Sequence, residues 1–319
     1  MRTSVLSPLR LVDEQGVPCA EVPFQRNDSG PRLDDLWFMV GSLCNLQCIH
    51  CYVASSPTNR TLEALTREEV RGFLAEACGY GLRRVYFTGG EPFVHAGIRG
   101  FLQDALEVAE VTVLTNATAP IRRHLETLGE LNARFPGRLQ IRVSLDHYVE
   151  GRHDAIRGEG TFRETVENTV RLAGLGFRPI VTATAEVFRG NPVPRDQVER
   201  AFRGLFAGRA EVDVKLLPAV LEMGAQLERV DSPAPAQFVS TGRMEALGVR
   251  PSDLMCHGGR SVVKREGRTR VYPCPIIYEV PEYDLGGSLR ESFERPVPLA
   301  HPACAAYCVC RVRGTCTNA

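Results

Sequence analysis

The stretch Cys44-Asn45-Leu46-Gln47-Cys48-Ile49-His50-Cys51-Tyr52 carries three cysteines in one short loop, directly after the apolar segment 36–40. An iron–sulfur cluster held by cysteine thiolates normally takes four of them. Three thiolates on one loop would therefore leave one iron open to a ligand that is not protein. A structural zinc site is the alternative interpretation, but such sites close with a fourth Cys or His at finger-like spacing. His50, next to Cys51, is poorly placed to be that ligand.

Strand-like and helix-like segments alternate through the middle of the chain, which is typical of a parallel sheet with crossover helices. Two helix starts, Thr66-x-x-Glu69 and Thr161-x-x-Glu164, have the form of capping boxes. Six βα units can curve into an open partial barrel whose strand C-termini share one mouth. In parallel α/β folds, active sites and ligand sites lie at that end of the strands. The predicted strands are 36–40, 84–88, 111–115, 140–145, 180–185 and 212–217.

The cysteine loop after a first strand resembles the signature of radical S-adenosylmethionine (SAM) enzymes. Further segments lie at predicted strand ends, where that family places residues that contact SAM. A stretch at 153–158 resembles the segment whose arginine, here Arg157, meets the SAM carboxylate in relatives of sulfatase-maturing and peptide-modifying enzymes. The resemblance extends over nearly the whole chain from Leu36 onward. The segments at the strand ends are Gly89-Gly90-Glu91-Pro92, Thr115-Asn116 and Ser144-Leu145-Asp146.

The resemblance implies that Cys44, Cys48 and Cys51 hold a [4Fe–4S] cluster whose open iron binds SAM. It also implies that the Gly-Gly-Glu-Pro turn holds the methionine amino group, although such a turn taken alone would usually be only a turn. Ser144 and Asp146 alternate on one strand and project to the same side, where they would hold the ribose hydroxyls. The full set of residues expected to bind SAM is Tyr52, Gly89, Gly90, Glu91, Pro92, Thr115, Asn116, Ser144, Asp146, Arg157 and Asn191.

The last quarter of the chain contains six cysteines, a density that indicates a bound metal: Cys256, Cys274, Cys304, Cys308, Cys310 and Cys316. The segment Val271-Tyr272-Pro273-Cys274 after Gly267 resembles the β-hairpin of the auxiliary-cluster domains called SPASM or twitch. A full SPASM domain with two clusters needs more ligands than these six. We therefore expect one auxiliary [4Fe–4S] cluster, held by Cys256, Cys274 and two of the last four. A closed zinc site is the alternative, because spacing alone does not separate zinc from iron–sulfur.

The predicted fold class is α/β: a partial (β/α)6 radical SAM barrel with a small, cysteine-rich SPASM/twitch-like C-terminal domain. A chain of 319 residues is long enough for one large domain and a small second one. The predicted parts are an N-terminal extension (1–35), the barrel (36–228) and the auxiliary iron–sulfur domain (229–319). The extension is too short to be a separate peptide-binding domain.

Composition excludes several classes of partner. Lysines plus arginines balance aspartates plus glutamates at 38 each, so no net field favours nucleic acid or an anionic membrane. The N-terminus lacks an apolar signal core and no apolar run reaches a membrane span, so a cytoplasmic location is expected. In that compartment the clustered cysteines are better explained as thiolate ligands than as disulfides. Cys78, in a helix-like segment, is expected to be a small buried hydrophobe.

The resemblance implies a radical SAM oxidoreductase that receives an electron from a reductant such as ferredoxin or flavodoxin. The electron would split SAM into methionine and a 5′-deoxyadenosyl radical, which takes a hydrogen from the substrate. An auxiliary cluster would accept the electron left behind, so that the net reaction is an oxidation. The first hypothesis is oxidative modification of a peptide in natural-product or protein maturation. The alternatives are oxidation or rearrangement of a small metabolite, such as an aminocyclitol or a sugar, and a non-catalytic iron–sulfur redox partner.

Overall fold

A parallel sheet forms the centre of the protein. The computed structural model describes residues 11, 16–188, 193–217, 223–229 and 239–309. Within the barrel, neighbouring strands follow one another in chain order and all pair in parallel. All six predicted strands are confirmed, with their ends shifted by one or two residues at most. They are β1 (Asp35–Met39), β2 (Arg84–Thr88), β3 (Glu110–Thr115), β4 (Leu139–Ser144), β5 (Ile180–Ala183) and β6 (Asp213–Leu216).

Helices connect these strands, as parallel pairing requires. The mixed α/β fold with a parallel core is therefore confirmed. The connecting helices are α1 (Arg67–Cys78), α2 (Ile98–Val108), α3 (Leu125–Arg134), α4 (Glu150–Arg157), α5 (Thr161–Gly174) and α6 (Arg195–Phe206).

The two faces of the sheet differ in chemistry. Successive strand residues point to opposite faces. The face toward the helices is aliphatic or aromatic and packs into one buried cluster, with members Leu36, Phe38, Val85, Phe87, Val111, Val113, Ile141 and Val143. The opposite face carries polar and amphipathic side chains, among them Trp37, Thr88, Arg142 and Ser144, and these line a cavity. Parallel sheets are usually apolar on both faces, so the polar inner face indicates a site for a ligand.

One predicted capping box is confirmed and the other is wrong. Thr66 Oγ1 accepts from the Glu69 amide at 3.2 Å, and the Glu69 carboxylate accepts from the Thr66 amide at 2.7 Å. Thr161 instead begins α5 as its first helical residue, after Gly160 in a left-handed conformation (φ 79°). The carboxylate of Asp154 accepts from the amide of Gly160 at 2.8 Å, and the Thr161 hydroxyl donates to Gly158.

The expectation of a buried Cys78 is also wrong. Cys78 is exposed at the end of α1. The buried face of that helix is formed by residues at helical spacing, Val70, Phe73, Leu74 and Ala77, and Cys78 follows the last of them by about 100° of rotation. Cys19 is buried, as a free cysteine usually is.

The C-terminal part adds a hairpin to the same sheet. Strands β7 (Gly259–Arg265) and β8 (Arg268–Tyr272) are antiparallel, which confirms the predicted hairpin. Glu266 and Gly267 both have positive φ angles of 52° and 72°, as the two central residues of a type I′ turn require. Strand β7 pairs in parallel with β1, so that the sheet order is β8-β7-β1-β2-β3-β4-β5-β6 among the described strands.

Short elements complete the described ranges. The N-terminal segment pairs with the C-terminal part through Glu21–Val22 and Val297–Pro298, and Arg26–Asn27 pairs with Gly30–Pro31. Three short helices, α7 (Thr241–Ala246), α8 (Met255–Gly258) and α9 (Leu289–Ser292), and a π-helical turn at Cys304–Val309 follow the barrel. The division into parts at residues 35 and 228 stays a prediction. No helix that the structure describes has the length and apolarity needed to span a membrane.

The turn after β2 is pressed against the beginning of the cysteine loop. The Gly90 amide donates to the Gly41 carbonyl at 2.7 Å, and the Glu91 amide donates to the Leu43 carbonyl at 2.9 Å. A Cβ atom at Gly90 would lie 1.9 Å from the Leu43 carbonyl oxygen. Glycine is therefore required at this position by the close approach of two backbones.

Replacing this glycine should destabilise the protein. Gly90→Ala forces two loops apart, and overpacking of this kind costs about 1–3 kcal/mol in the free energy of unfolding. The matched control is Gly72→Ala in the exposed middle of α1, where a Cβ meets nothing within 4 Å; it should stabilise by about 0.5–1 kcal/mol. Urea unfolding followed by circular dichroism measures both changes. Equal stabilities of the two variants would contradict the close packing of these loops.

Candidate active site

A cavity of about 260 Å³ lies where the C-terminal ends of the parallel strands meet. It brings together every described residue of the predicted SAM pocket except Pro92, which begins a short 3₁₀ turn nearby. Asn191 lies outside the described residues. The predicted residues that line the cavity are Cys44, Cys48, Cys51, Tyr52, Gly89, Gly90, Glu91, Thr115, Asn116, Ser144, Asp146 and Arg157.

The three loop cysteines present their sulfur atoms to this cavity. Backbone amides donate to two of them, from Leu46 to Cys44 Sγ and from Ser55 to Cys51 Sγ, both at 3.4 Å. Burial and the neighbouring Glu91 raise the pKa of Cys44 to about 12. A coordinating metal deprotonates such a thiol outright. A metal group of high positive charge therefore fits this set of donors.

Burial also raises the pKa of Cys48, to about 11, although a positive charge nearby opposes the shift. That charge belongs to Arg157, whose Nη1 lies 3.8 Å from the Cys48 sulfur. A thiolate at Cys48 would therefore be partly compensated by a guanidinium that is itself buried.

The loop is held from both sides of the molecule. On the barrel side, the Cys44 amide donates to the Ser56 carbonyl at 3.1 Å. On the C-terminal side, the Ala225 amide donates to the Cys51 carbonyl at 2.9 Å. The Tyr278 hydroxyl donates to the Tyr52 carbonyl at 3.1 Å. These bonds fix the backbone at both ends of the cysteine loop.

Glu91 connects the ends of two strands. Its side chain is 2% exposed, and its carboxylate accepts from the Phe93 amide at 3.1 Å, the Thr115 hydroxyl at 2.8 Å and the Asn116 amide at 2.8 Å. Burial raises the pKa of Glu91 to about 7, against the lowering effect of these three donors. Glu91 thus joins the turn after β2 to the end of β3, in addition to lining the cavity.

Asn116 extends this connection to the cysteine loop. Its Nδ2 lies 3.8 Å from Cys44 Sγ and donates to Asn45 Oδ1 at 3.0 Å. Asn45 in turn donates to the Thr118 hydroxyl at 2.9 Å. Asn45 and Thr118 were not predicted from the sequence. Asn45 lies inside the cysteine loop and Thr118 just after a predicted strand end, and these positions could have indicated that both belong to the site.

A buried cluster of charges closes another side of the cavity. Arg157, at the end of α4, donates from Nε to Asp146 Oδ2 at 2.5 Å, and His50 Nε2 lies 3.1 Å from the same oxygen. Burial alone would raise the pKa of Asp146, but Arg157 and His50 hold it well below its usual range. Burial opposes the charge of Arg157, yet Asp146 raises its pKa. The two residues expected to bind different parts of SAM are therefore bound to each other.

A second, smaller cavity of about 20 Å³ is lined by four cysteines together with apolar side chains. The four are Cys256, Cys274, Cys304 and Cys308. Within the described ranges neither these four nor the three loop cysteines converge on one point as the ligands of a single metal ion do. Four thiols around one cavity is the number that an iron–sulfur cluster normally takes. Of the six C-terminal cysteines predicted as ligands, Cys310 and Cys316 lie outside the described residues.

The elements that carry these cysteines are tied to the barrel. Cys256 lies in α8, directly before β7, and Cys274 follows β8 by two residues. The buried guanidinium of Arg260 donates to the Cys256 carbonyl at 2.7 Å and to the Ser292 carbonyl at 2.9 Å. It also lies over the ring of Phe24 at 4.1 Å. Arg260 thereby fixes the turn that presents Cys256.

The family model described as the Radical SAM superfamily matches residues 39–198. The chain is 27% identical over 153 residues to a GTP 3′,8-cyclase of Alkaliphilus oremlandii (strain OhILAs), covering 47% of this chain and 46% of that protein. It is 31% identical over 150 residues to the antilisterial bacteriocin subtilosin biosynthesis protein AlbA of Bacillus subtilis (strain 168), covering 46% of this chain and 32% of that protein. The chain therefore spans about half or less of the length of these curated relatives.

Solved structures share the fold. The structure of anSMEcpe with bound AdoMet has a TM-score of 0.57 at 16% identity, over 83% of this chain and 80% of that chain. SuiB of Streptococcus suis bound to S-adenosylmethionine has a TM-score of 0.53 at 13% identity, over 83% of this chain and 64% of that chain. At such identities the likeness establishes the fold alone. Because the family model matches half of the chain and the fold agrees with it, the chain belongs to the radical SAM superfamily, whose cofactors are a [4Fe–4S] cluster and S-adenosylmethionine.

Proposed function

We propose that this chain is a radical SAM oxidoreductase that oxidatively modifies a peptide in natural-product or protein maturation. The observation that carries the proposal is the adjacency of two cysteine-lined cavities. Met255 and Ile276 line both of them, so one layer of side chains separates the loop cysteines from the C-terminal ones. A cluster in the second cavity would lie close enough to a substrate in the first to accept an electron from it.

Cys44, Cys48 and Cys51 would hold the first [4Fe–4S] cluster. When bound, this cluster supplies the electron that splits SAM into methionine and a 5′-deoxyadenosyl radical. The chain contributes orientation and the exclusion of water. Amide donors to the sulfur atoms of Cys44 and Cys51 would stabilise negative charge on a bound cluster, since hydrogen bonds to cluster sulfurs tune its potential.

The other cavity residues would hold SAM. Ser144 lies at the end of β4 and lines the cavity, where its hydroxyl can bond to a ribose hydroxyl. Arg157 keeps one nitrogen on Asp146, so the rest of its guanidinium can meet the SAM carboxylate. The turn at Gly89 and Gly90 brings backbone toward the ligand. We retain the same roles for Tyr52, Glu91, Pro92, Thr115, Asn116 and, outside the described residues, Asn191.

An auxiliary [4Fe–4S] cluster is proposed for the second cavity, with Cys256, Cys274, Cys304 and Cys308 as ligands. Cys304 and Cys308 are four residues apart in one π-helical turn, so they lie on the same side of it. The unit 229–319 would then be SPASM/twitch-like, as the sequence predicts. A reductant such as ferredoxin or flavodoxin would supply electrons, and a cytoplasmic location would keep the thiols reduced.

A peptide substrate is supported by two of the relatives. AlbA is a bacteriocin biosynthesis protein, and SuiB has been solved with the precursor peptide SuiA bound, at 14% identity and a TM-score of 0.53. A small metabolite is the second candidate. It is favoured by the curated relatives that are GTP 3′,8-cyclases, which match about the same share of the chain.

Replacing Cys44, Cys48 and Cys51 together with alanine should abolish SAM cleavage. The variant should lose roughly four irons per chain, the content of one [4Fe–4S] cluster, and keep the C-terminal iron. Iron analysis and 5′-deoxyadenosine formation under anaerobic, reducing conditions measure both effects. Cys78→Ala, at an exposed cysteine on α1, is the control and should change neither. Persistent SAM cleavage by the triple variant would contradict the assignment.

Replacing Cys256 and Cys274 with alanine should remove the second metal group. We expect a loss of roughly four irons with no change in zinc content, measured by elemental analysis of the reconstituted protein. The matched control is the double variant Cys310→Ala with Cys316→Ala, whose iron content should equal that of the unaltered chain. A loss of zinc in place of iron would support the closed zinc site. A loss of iron in the matched pair would contradict the ligand set Cys256, Cys274, Cys304 and Cys308.

The substrate class is tested by giving the reduced, reconstituted protein SAM and size-fractionated host lysate under anaerobic conditions. Stimulation of 5′-deoxyadenosine formation by the macromolecular fraction is the expected result and supports a peptide. Stimulation by the small-molecule fraction would instead support a metabolite enzyme. Absence of cleavage in every fraction would overturn the enzymatic proposal in favour of a redox partner.

A further inference from the structure

Six buried polar atoms of residues that line the large cavity make no hydrogen bond within the part of the chain that the structure describes. Three belong to His50, Ser55 and Asp146, at or beside the cysteine loop, and the other three, on strands β1, β4 and β5, are Trp37 Nε1, Arg142 Nε and Thr182 Oγ1. All three residues line the cavity of about 260 Å³. Buried polar atoms in proteins are nearly always bonded, so a cluster of three exceptions requires an explanation.

Arg142 is central to this cluster. It lies on β4, on the same face as Ser144 and two residues before it, which places its backbone about 7 Å deeper in the barrel. Its side chain is 7% exposed, and burial lowers its pKa from the usual value. The titratable groups that act on its charge most strongly are the phenols of Tyr86 and Tyr307, which are ordinarily neutral.

The carboxylates of the cavity have partners other than Arg142. Glu91 accepts from Phe93, Thr115 and Asn116, and Asp146 is paired with Arg157 and His50. In the described ranges, no ion pair is formed by Arg142. A buried guanidinium without a counter-charge is unfavourable unless a ligand provides one.

The chemistry of the three groups defines that ligand. An indole N–H and a guanidinium can only donate, and a threonine hydroxyl can donate as well as accept. Donors that line one cavity together with a positive charge match an oxyanion, and the planar fork of arginine suits a carboxylate. We propose that Arg142, with Trp37 and Thr182, forms a subsite that binds a carboxylate group of the substrate.

This subsite rests on the proposed function and specifies its substrate. The carboxylate belongs to an acidic side chain of the peptide or to its C-terminus. Arg142 lies two residues before Ser144 on β4, farther along the strand from the mouth of the barrel, where Arg157 and the loop cysteines lie. A carboxylate held on Arg142 would anchor the substrate at the base of the cavity and present its adjoining carbons toward the mouth.

The test is anaerobic calorimetry on the reconstituted protein saturated with SAM. The probes are acetyl-glutamate amide, with only a side-chain carboxylate, and acetyl-alanine, with only a terminal carboxylate. Acetyl-glutamine amide is the uncharged counterpart, and inorganic phosphate is the competing anion. We expect one carboxylate probe to bind at least tenfold more tightly than the uncharged one, and which of the two binds identifies the source.

Arg142→Gln should weaken binding of that probe at least tenfold, and Arg142→Lys should restore part of it. Arg171→Gln is the matched control, because it removes the same charge from a surface pair on α5 and should leave probe affinity unchanged. Trp37 is the only tryptophan of the chain, so its emission should change with the carboxylate probe and not with the uncharged one. That measurement stands even where an Arg142 variant does not fold.

Several outcomes would overturn the subsite: no probe binding by the unaltered protein, binding of phosphate alone, or an equal loss of SAM affinity in Arg142→Gln. The last would assign Arg142 to SAM. Calorimetry requires no reduction of the cluster, whereas the proposed function is tested by 5′-deoxyadenosine formation in reduced protein. A failure of one is therefore distinguishable from a failure of the other.

Discussion

The buried carboxylate of Glu91 is the connection on which the site depends. Its backbone amide bonds to the cysteine loop at Leu43, and its side chain bonds to Thr115 and Asn116 at the end of β3. Three segments far apart in the chain thus meet at one residue. Because Asn116 then reaches Cys44, the position of a loop sulfur is coupled to the register of two strands. The close approach of Gly90 to the Leu43 carbonyl also holds the turn after β2 against the cysteine loop.

Charge is distributed unevenly around the cavity. At the mouth, Asp146 lies between Arg157 and His50 in a compact group in which the carboxylate and the guanidinium form an ion pair. Deeper in the barrel, Arg142 has no such partner among the described residues. The same wall therefore combines a buried ion pair with a buried guanidinium that has no counter-charge among the described residues. This difference in charge pairing, more than the cavity volume, distinguishes residues that hold the site together from residues that are available to bind a substrate group.

Much of the fold could be predicted because strand-like and helix-like segments alternate along the chain and the segments that bear the site stand at the strand ends. The loop cysteines, the Gly-Gly-Glu-Pro turn and Arg157 followed from local motifs. Thr161 could not be read correctly, since Gly160 takes the left-handed position that displaces the cap. The position of Arg142 could also have been predicted, because the alternation of side chains that places Ser144 and Asp146 on one side of the strand extends back to residue 142. The pairing of Asp146 with Arg157 and the choice among the C-terminal cysteines depend on three-dimensional contacts that spacing does not encode.

The parallel pairing of β7 with β1 has a consequence for how the two groups of cysteines are spaced. Cys256 and Cys274 flank the hairpin, and the loop cysteines begin a few residues after β1. Their separation is thus fixed by backbone hydrogen bonds between neighbouring strands and not by a linker. A slip of two residues in that pairing would move one group relative to the other by about 7 Å. Strand register therefore sets the distance between the loop cysteines and the cysteines that flank the hairpin.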